Sequence, residues 1–121
     1  MPAKIINLAE QNLFEVSGER DAVLRSIALK RLWIIGGIFI DAENAYNGQH
    51  EIGKAAGALL SRFPEFEFWA LRAVDSIPGV SRIAWAFGTA GLAPALTGVD
   101  VVRMEEQRIV AVYRFVNGAA F

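Results

Sequence analysis

The stretch that decides the fold is TGVDVVRMEEQRIVAVYRF, Thr97 to Phe115. Two apolar runs of strand-like residues flank a short charged connection, a pattern typical of two neighbouring antiparallel strands. Asp100 stands inside the first run, between Val99 and Val101. A carboxylate at such a position is either turned to water or held in an apolar site that alters its chemistry.

Two further strand-like runs precede this pair. EFEFWALRAVDSI, residues 65–77, alternates between two faces along its length, and VSRIAWAFG, residues 80–88, follows a turn at Pro78 and Gly79. The four runs are joined by short or modest connections. They therefore predict four successive strands in an antiparallel meander.

Helical patterns occupy most of the chain before Pro64. Apolar residues recur at helical spacing from Ile6 to Val16, and GERDAVLRSIALKRLW, residues 18–33, has acidic residues at its start and basic residues at its end. QHEIGKAAGALLSRFP, residues 49–64, is the clearest helix, and Pro64 ends it. Between the second and third helices, Trp33 to Asp41 favours a short distorted strand because β-branched residues surround two glycines. The residues ENAYNG that follow favour a turn.

Helices first and strands afterwards predict one α+β domain, residues 1–121, with three N-terminal helices packed on one face of a curved, mainly antiparallel sheet. Both faces of the last strand are apolar, because Ile109, Ala111 and Tyr113 oppose Val110 and Val112. One face packs on the helices and the other needs a second cover. We expect that cover to be another copy of the chain, in a homodimer through the sheet.

Composition excludes several classes of partner. The chain of 121 residues has 12 basic and 13 acidic residues, a net charge of -1 and no long run of like charge, which argues against nucleic acid and membrane surfaces. The most apolar run, LWIIGGIFI, is far shorter than the roughly 20 residues that span a bilayer. With one histidine and no cysteine, no metal centre is expected, and no cofactor motif is present. We expect a cytoplasmic protein.

Several loose motifs, taken in order, carry a resemblance to a known group. They are SGE after the first helix, a strand ending in Asp41, YNGQHEI opening the third helix, FPEFEF, RIAWAF, TGVDVVRME and RIVAVYRFVN. Together they resemble the nuclear transport factor two-like superfamily, and within it the SnoaL-like group of polyketide cyclases, ketosteroid isomerases and limonene epoxide hydrolases. The resemblance covers nearly the whole chain. It implies a cone-shaped α+β barrel that encloses an apolar pocket open at one end.

The resemblance also implies catalytic residues. In ketosteroid isomerases a carboxylate at the position that matches Asp41 shuttles a proton on carbon, and a neutral aspartic acid at the position that matches Asp100 donates a hydrogen bond to the developing oxyanion. Polyketide cyclases use an aspartate as general acid/base, and Asp100 matches it. The isomerase tyrosine falls near Gln11, where this chain has no tyrosine. This departure argues against a steroid isomerase and leaves the fold prediction in place.

Asp100 has two interpretations. In the first it faces the pocket and exchanges a proton with, or donates a hydrogen bond to, a ligand carbonyl. In the second it is a structural aspartate, paired with an arginine such as Arg72, Arg82 or Arg114, or capping a turn. Asp41 is likewise either a turn-making aspartate or a general base at the mouth of the pocket. The sequence leaves both choices open.

Aromatic and apolar side chains supply the candidate walls of the pocket. We expect the ligand to contact Trp85 first, with Tyr46, Trp69, Tyr113 and Met104 as further candidates. Two functions are compatible with these residues. The first is a cofactor-independent enzyme acting on an apolar carbonyl compound, and the second is a noncatalytic ligand-binding or dimerisation module of the same fold.

Overall fold

The fold comes from a computed structural model that describes residues 7–117; Ile6, where the first helix was predicted to begin, lies outside this range. The helices are α1 (Leu8–Asn12), which continues into a π-helical segment (Leu13–Ser17), α2 (Ala22–Leu32) and α3 (Gly48–Arg62). The backbone N–H of Gly18 donates to the carbonyl of Leu13, five residues earlier, at 2.9 Å. None of these helices is long and apolar enough to cross a membrane.

Seven strands form one sheet within the described residues. They are β1 (Trp33–Ile40), β2 (Ala45–Asn47), β3 (Glu67–Ala70), β4 (Asp75–Ile77), β5 (Val80–Gly88), β6 (Leu96–Glu105) and β7 (Arg108–Asn117). The spatial order is β2-β1-β7-β6-β5-β3, and β4 also pairs with β5. Every pairing is antiparallel except that of β1 with β7. The predicted α+β class, with three helices and a curved, mainly antiparallel sheet, is confirmed.

Two local predictions were wrong. Residues 65–77 were predicted as one strand, yet they form β3 and β4 separately. Ala70 pairs with Trp85 and Asp75 pairs with Arg82, so the four residues between Ala70 and Asp75 oppose only two residues of β5. The surplus residues leave the ladder as a bulge. The second error concerns the segment predicted as a turn, where residues 45–47 form β2 and pair with β1.

Strand alternation divides the sheet into an inner face and an outer face. The inner face packs on the helices and contributes the large buried side chains of the core, including Ile83, Trp85, Phe87, Val102 and Val112. The outer face points away from the helices. It carries smaller side chains such as Ala84, Ala86 and Ala111, together with larger, partly exposed ones.

The C-terminal end of α3 is tied to the start of α2 by Arg20. Its guanidinium donates to the carbonyls of Leu60 at 2.7 Å and Phe63 at 2.9 Å, and also to that of Phe66. The last carbonyls of a helix have no partner within the helix, so a cation at this end satisfies them and also complements the helix dipole. Arg20 therefore joins the C-terminal end of α3 to the loop that precedes α2.

Candidate functional site

A cavity of about 540 Å³ lies between α3, the π-helical segment and the edge of the sheet at β1, β2 and β7. Its apolar wall is formed by Val16, Phe39, Ile52, Ala55, Ala56, Ala58 and Leu59. The small alanine side chains of α3 leave the cavity open, since larger side chains at these positions would fill the space. The volume is within the range of pockets that hold a small organic molecule.

Polar side chains also reach the cavity, and four of the nine lie on α3. They are Ser17, Asp41, Glu43, Tyr46, His50, Glu51, Lys54, Arg62 and Arg114. His50, Glu51, Lys54 and Arg62 are exposed and form the mouth of the cavity. Arg114 is different, because only 10% of its side chain is exposed. It is the charged group that lies deepest.

Asp41 ends β1 and opens the turn to β2. Its Oδ1 accepts hydrogen bonds from the backbone N–H groups of Glu43 at 2.9 Å and Asn44 at 2.8 Å. Aspartate side chains commonly accept such backbone hydrogen bonds in turns. The side chain of Asp41 also lines the cavity. Its Oδ2 has no hydrogen-bond partner within residues 7–117. One oxygen of Asp41 therefore makes the turn and the other is free to meet a ligand.

Asp100 and Arg114 form a buried ion pair across the inner face. They stand directly opposite each other on β6 and β7. Nε of Arg114 donates to Oδ1 of Asp100 and Nη2 donates to Oδ2, both at 2.8 Å. The side chain of Asp100 is 1% exposed. Such a bidentate pair fixes the orientation of both groups.

A third donor completes the environment of Asp100. Nε1 of Trp85 donates to Oδ1 of Asp100 at 2.9 Å. All the partners of Asp100 are obligate donors, so the carboxyl group acts as an acceptor, which is the behaviour of its ionised form. Trp85 reaches this position by lying over Gly98, where a Cβ atom would stand 2.3 Å from the indole ring. Glycine at position 98 leaves room for the tryptophan.

Three aromatic rings surround the guanidinium of Arg114. The centroids of Phe39, Phe68 and Trp85 lie 4.9, 5.1 and 5.1 Å from its Cζ atom. Nη2 also donates to the hydroxyl of Ser17 at 3.1 Å. These contacts hold the planar group in one position. The remaining nitrogen of Arg114, Nη1, has no acceptor within residues 7–117. In the same range, every side-chain nitrogen or oxygen that is fully buried has a hydrogen-bond partner.

The predicted site residues separate into three groups. Asp41 and Tyr46 line the cavity. Asp100, Trp85 and Met104 lie on the inner face of the sheet but are not among the residues that line the cavity. Trp69 pairs with Ala86, and Tyr113 pairs with Val101. Those two side chains therefore lie on the outer face, because the side chains of a strand alternate.

Arg114 is the residue of the site whose importance the sequence did not indicate. In the sequence it is one of three arginines that could pair with Asp100. The signal available was positional, because an arginine and an aspartate on the same face of adjacent strands form a cross-strand pair. Ser17 has no signal of its own in the sequence, where it appears only within the SGE motif after the first helix.

Solved structures of low sequence identity share this fold. A proposed isomerase of the SnoaL-like family from Agrobacterium tumefaciens is 24% identical, with a TM-score of 0.84 over 92% of this chain and 95% of that chain. A proposed SnoaL-like polyketide cyclase from Jannaschia sp. is 13% identical, with a TM-score of 0.72 over 97% of this chain and 91% of that chain.

A third structure is a protein with a ketosteroid isomerase-like fold from Catenulispora acidiphila, in complex with trimethylamine. It is 12% identical, with a TM-score of 0.71 over 93% of this chain and 86% of that chain. No protein-family model and no curated protein matches the sequence significantly. The structural likeness establishes that the chain has the SnoaL-like, nuclear transport factor two-like fold.

Proposed function

We propose that the protein binds a small, largely apolar carbonyl compound in its cavity and transfers protons on that compound without a cofactor. The observation that carries this proposal is the cavity itself, which combines an apolar wall with the carboxylate of Asp41 and a few fixed polar groups. Apolar walls with a small number of placed polar groups are the usual composition of a ligand site. The resemblance to polyketide cyclases and ketosteroid isomerases supplies the reaction class.

Asp41 is the proposed base. Its free Oδ2 removes a proton from the carbon next to the ligand carbonyl, and the C–H electron pair moves into the carbon–carbon bond of an enolate. The proton then returns from Asp41 to carbon, so the carboxylate is regenerated. Tyr46 stands beside Phe39 at the cavity and is proposed to contact the ligand.

Asp100 has a different role in this proposal. Its three hydrogen-bond donors support the interpretation in which it is paired with an arginine and holds that arginine in place. Its role as an acid that donates to the ligand stays a prediction, as do direct ligand contacts by Trp85, Trp69, Tyr113 and Met104. A cytoplasmic location and the absence of nucleic-acid and membrane partners also stay predictions.

The alternative function is a noncatalytic ligand-binding or dimerisation module. The outer face favours a homodimer through the sheet, because Phe115 is 60% exposed there beside the partly exposed Val99, Val101 and Tyr113. An apolar sheet face of this kind is ordinarily covered. Dimerisation and catalysis are compatible, so the two functions differ only in whether the cavity performs chemistry.

Exchange of the methyl protons of 2-acetylnaphthalene in D₂O, followed by the loss of their NMR signal, tests the proposed reaction. We expect the wild-type protein to accelerate exchange and Asp41→Asn to lower the enzymatic rate at least about 100-fold, because the general base is lost. Asparagine keeps an oxygen that accepts the two turn hydrogen bonds, so the turn is preserved.

The matched control is Glu43→Gln, which removes the neighbouring carboxylate at the same cavity and should leave the rate nearly unchanged. If the ketone binds but exchanges at the background rate with wild-type protein, the noncatalytic alternative is correct. Equal loss of rate in both variants would contradict the assignment of Asp41 as the base.

A further inference from the structure

We infer that Nη1 of Arg114 binds the carbonyl oxygen of the ligand, and that its pairing with Asp100 makes the cavity select neutral carbonyl compounds over carboxylates. This inference rests on the proposed function and specifies the group that the site recognises. Arg114 lines the cavity, nine-tenths of its side chain is buried, and its Nη1 has no acceptor within residues 7–117. The guanidinium thus presents two unused N–H donors to a ligand.

The position of Nη1 is fixed before a ligand arrives. Nε and Nη2 are bound to Asp100 and Nη2 also to Ser17, so the plane of the guanidinium cannot rotate without breaking these bonds. The rings of Phe39, Phe68 and Trp85 pack around the same group. A donor held in place by its neighbours loses little freedom on binding, and it can stabilise negative charge that develops on a carbonyl oxygen.

The charges around the cavity determine whether the site prefers a carbonyl oxygen or a carboxylate oxygen of the ligand. The positive charge of Arg114 is already balanced by Asp100, and the remaining ionised side chains at the cavity are Asp41, Glu43 and Glu51 against Lys54 and Arg62. A ligand carboxylate would add a negative charge to a cavity that holds no surplus positive charge. A neutral carbonyl accepts the same hydrogen bonds from Nη1 and adds no charge.

Three naphthalene compounds of nearly equal shape test this inference by binding to the full chain. They are the ketone 2-acetylnaphthalene, the alkene 2-isopropenylnaphthalene, in which CH₂ replaces the carbonyl oxygen, and the anion 2-naphthoate. We expect wild-type protein to bind the ketone about tenfold more tightly than the alkene, since only the ketone accepts from Arg114. It should also bind the ketone at least about tenfold more tightly than the carboxylate.

Two variants and one control separate the effect of the Nη1 donor of Arg114 from the effect of its positive charge. Arg114→Lys keeps a cation opposite Asp100 but removes the planar group and its Nη1 donor, so the preference for ketone over alkene should fall to about twofold or less. Arg62→Lys, the same change at the exposed mouth of the cavity, should leave that preference unchanged. Asp100→Asn leaves the charge of Arg114 unbalanced, and binding of 2-naphthoate relative to the ketone should increase at least about tenfold.

The inference can be tested even if one of the variants does not fold. In wild-type protein labelled with ¹⁵N-arginine, the Nε–Hε signal of Arg114 should shift with the ketone and stay in place with the alkene. In Asp100→Asn, the rise in thermal midpoint with 2-naphthoate, relative to the rise with the ketone, should be larger than it is in wild-type protein, because a ligand stabilises the state that it binds. If Asp100→Asn does not fold, the wild-type and Arg114→Lys results decide the inference.

The outcomes distinguish this inference from the proposed function. Equal binding of ketone and alkene to wild-type protein, or an unchanged preference in Arg114→Lys, overturns the role of Arg114 while the pocket stands. Preferential binding of 2-naphthoate to wild-type protein overturns the selection of neutral ligands. Failure of all three compounds to bind overturns both this inference and the proposed function.

Discussion

The ion pair of Asp100 and Arg114 is a local exception to the apolar inner face. Its charges are removed from water, and the pair compensates for this through good geometry and additional hydrogen bonds from Trp85 and to Ser17. Removing one partner of such a pair leaves the other charge buried without compensation. The pair therefore constrains the sheet as well as the cavity.

Asp100→Asn should lower the free energy of unfolding by about 3 kcal/mol or more, because Arg114 then keeps an unbalanced buried charge. Urea unfolding followed by tryptophan fluorescence measures this change. Asp75→Asn is the matched control, since Asp75 and Arg82 form a cross-strand pair that is 64% and 68% exposed, and it should cost less than about 1 kcal/mol.

A double variant isolates the unbalanced charge as the cause. Asp100→Asn combined with Arg114→Met removes both charges, so its loss of stability should be smaller than the sum of the two single losses. Strict additivity of the two single losses would show that the pair is not coupled and would contradict the assigned cause.

The sequence identified Asp100 as a residue of interest but not its partner. Among the three candidate arginines, Arg82 pairs with Val101 and so lies on the outer face, and Arg72 falls in the bulge between β3 and β4. Only the register of β6 against β7 places Arg114 opposite Asp100. Register depends on long-range pairing, which the local sequence does not contain.

At the scale of elements, the turn between β6 and β7 stores backbone strain. Glu105 pairs with Arg108, so the two residues between them form the connection, and both have positive φ: 49° at Glu106 and 65° at Gln107. Two-residue hairpin turns of this hand favour Asn-Gly, since side chains with a Cβ atom are disfavoured there. The sequence has no glycine in this connection, although both of its residues adopt a positive φ.

Replacing the turn by Glu106→Asn and Gln107→Gly should raise the free energy of unfolding by about 1 kcal/mol, because the new residues accept positive φ at lower cost. Urea unfolding gives the measurement. Gly79→Ala is the reciprocal control, as Gly79 has a φ of 79° and a Cβ there meets no atom closer than 3.6 Å. It should destabilise by a similar amount, whereas a turn variant of unchanged stability would argue against strain.

Elements with strong local patterns were predicted and those that depend on pairing were not. The third helix and the strand from Trp33 were confirmed, because apolar periodicity and breaker residues mark them locally. The π-helical segment was not predicted, since its apolar spacing resembles that of an ordinary helix. β2 and the break between β3 and β4 exist through their pairing with β1 and β5, so no local signal marked them.

At the scale of the whole molecule, the two faces of the sheet have separate tasks. The inner face supplies the core and the ion pair that borders the cavity, whereas the outer face carries apolar side chains without a cover in the described chain. β6 and β7 contribute to both, because alternate residues of the same strands point in opposite directions. An association through the outer face would therefore stiffen the strands that hold Asp100 and Arg114.

Substitution of an outer-face residue tests the homodimer that we propose through that face. Phe115→Glu places a charge on that face and should shift the mass measured by light scattering from about twice 13.2 kDa towards 13.2 kDa, because an unpaired charge is costly to bury in an interface. Leu92→Glu is the matched control, since Leu92 is 66% exposed and belongs to the loop between β5 and β6 rather than to a strand. It should leave the mass of the dimer unchanged. A wild-type protein that is monomeric at high concentration contradicts the dimer, and a dimer disrupted by Leu92→Glu but retained in Phe115→Glu places the interface elsewhere.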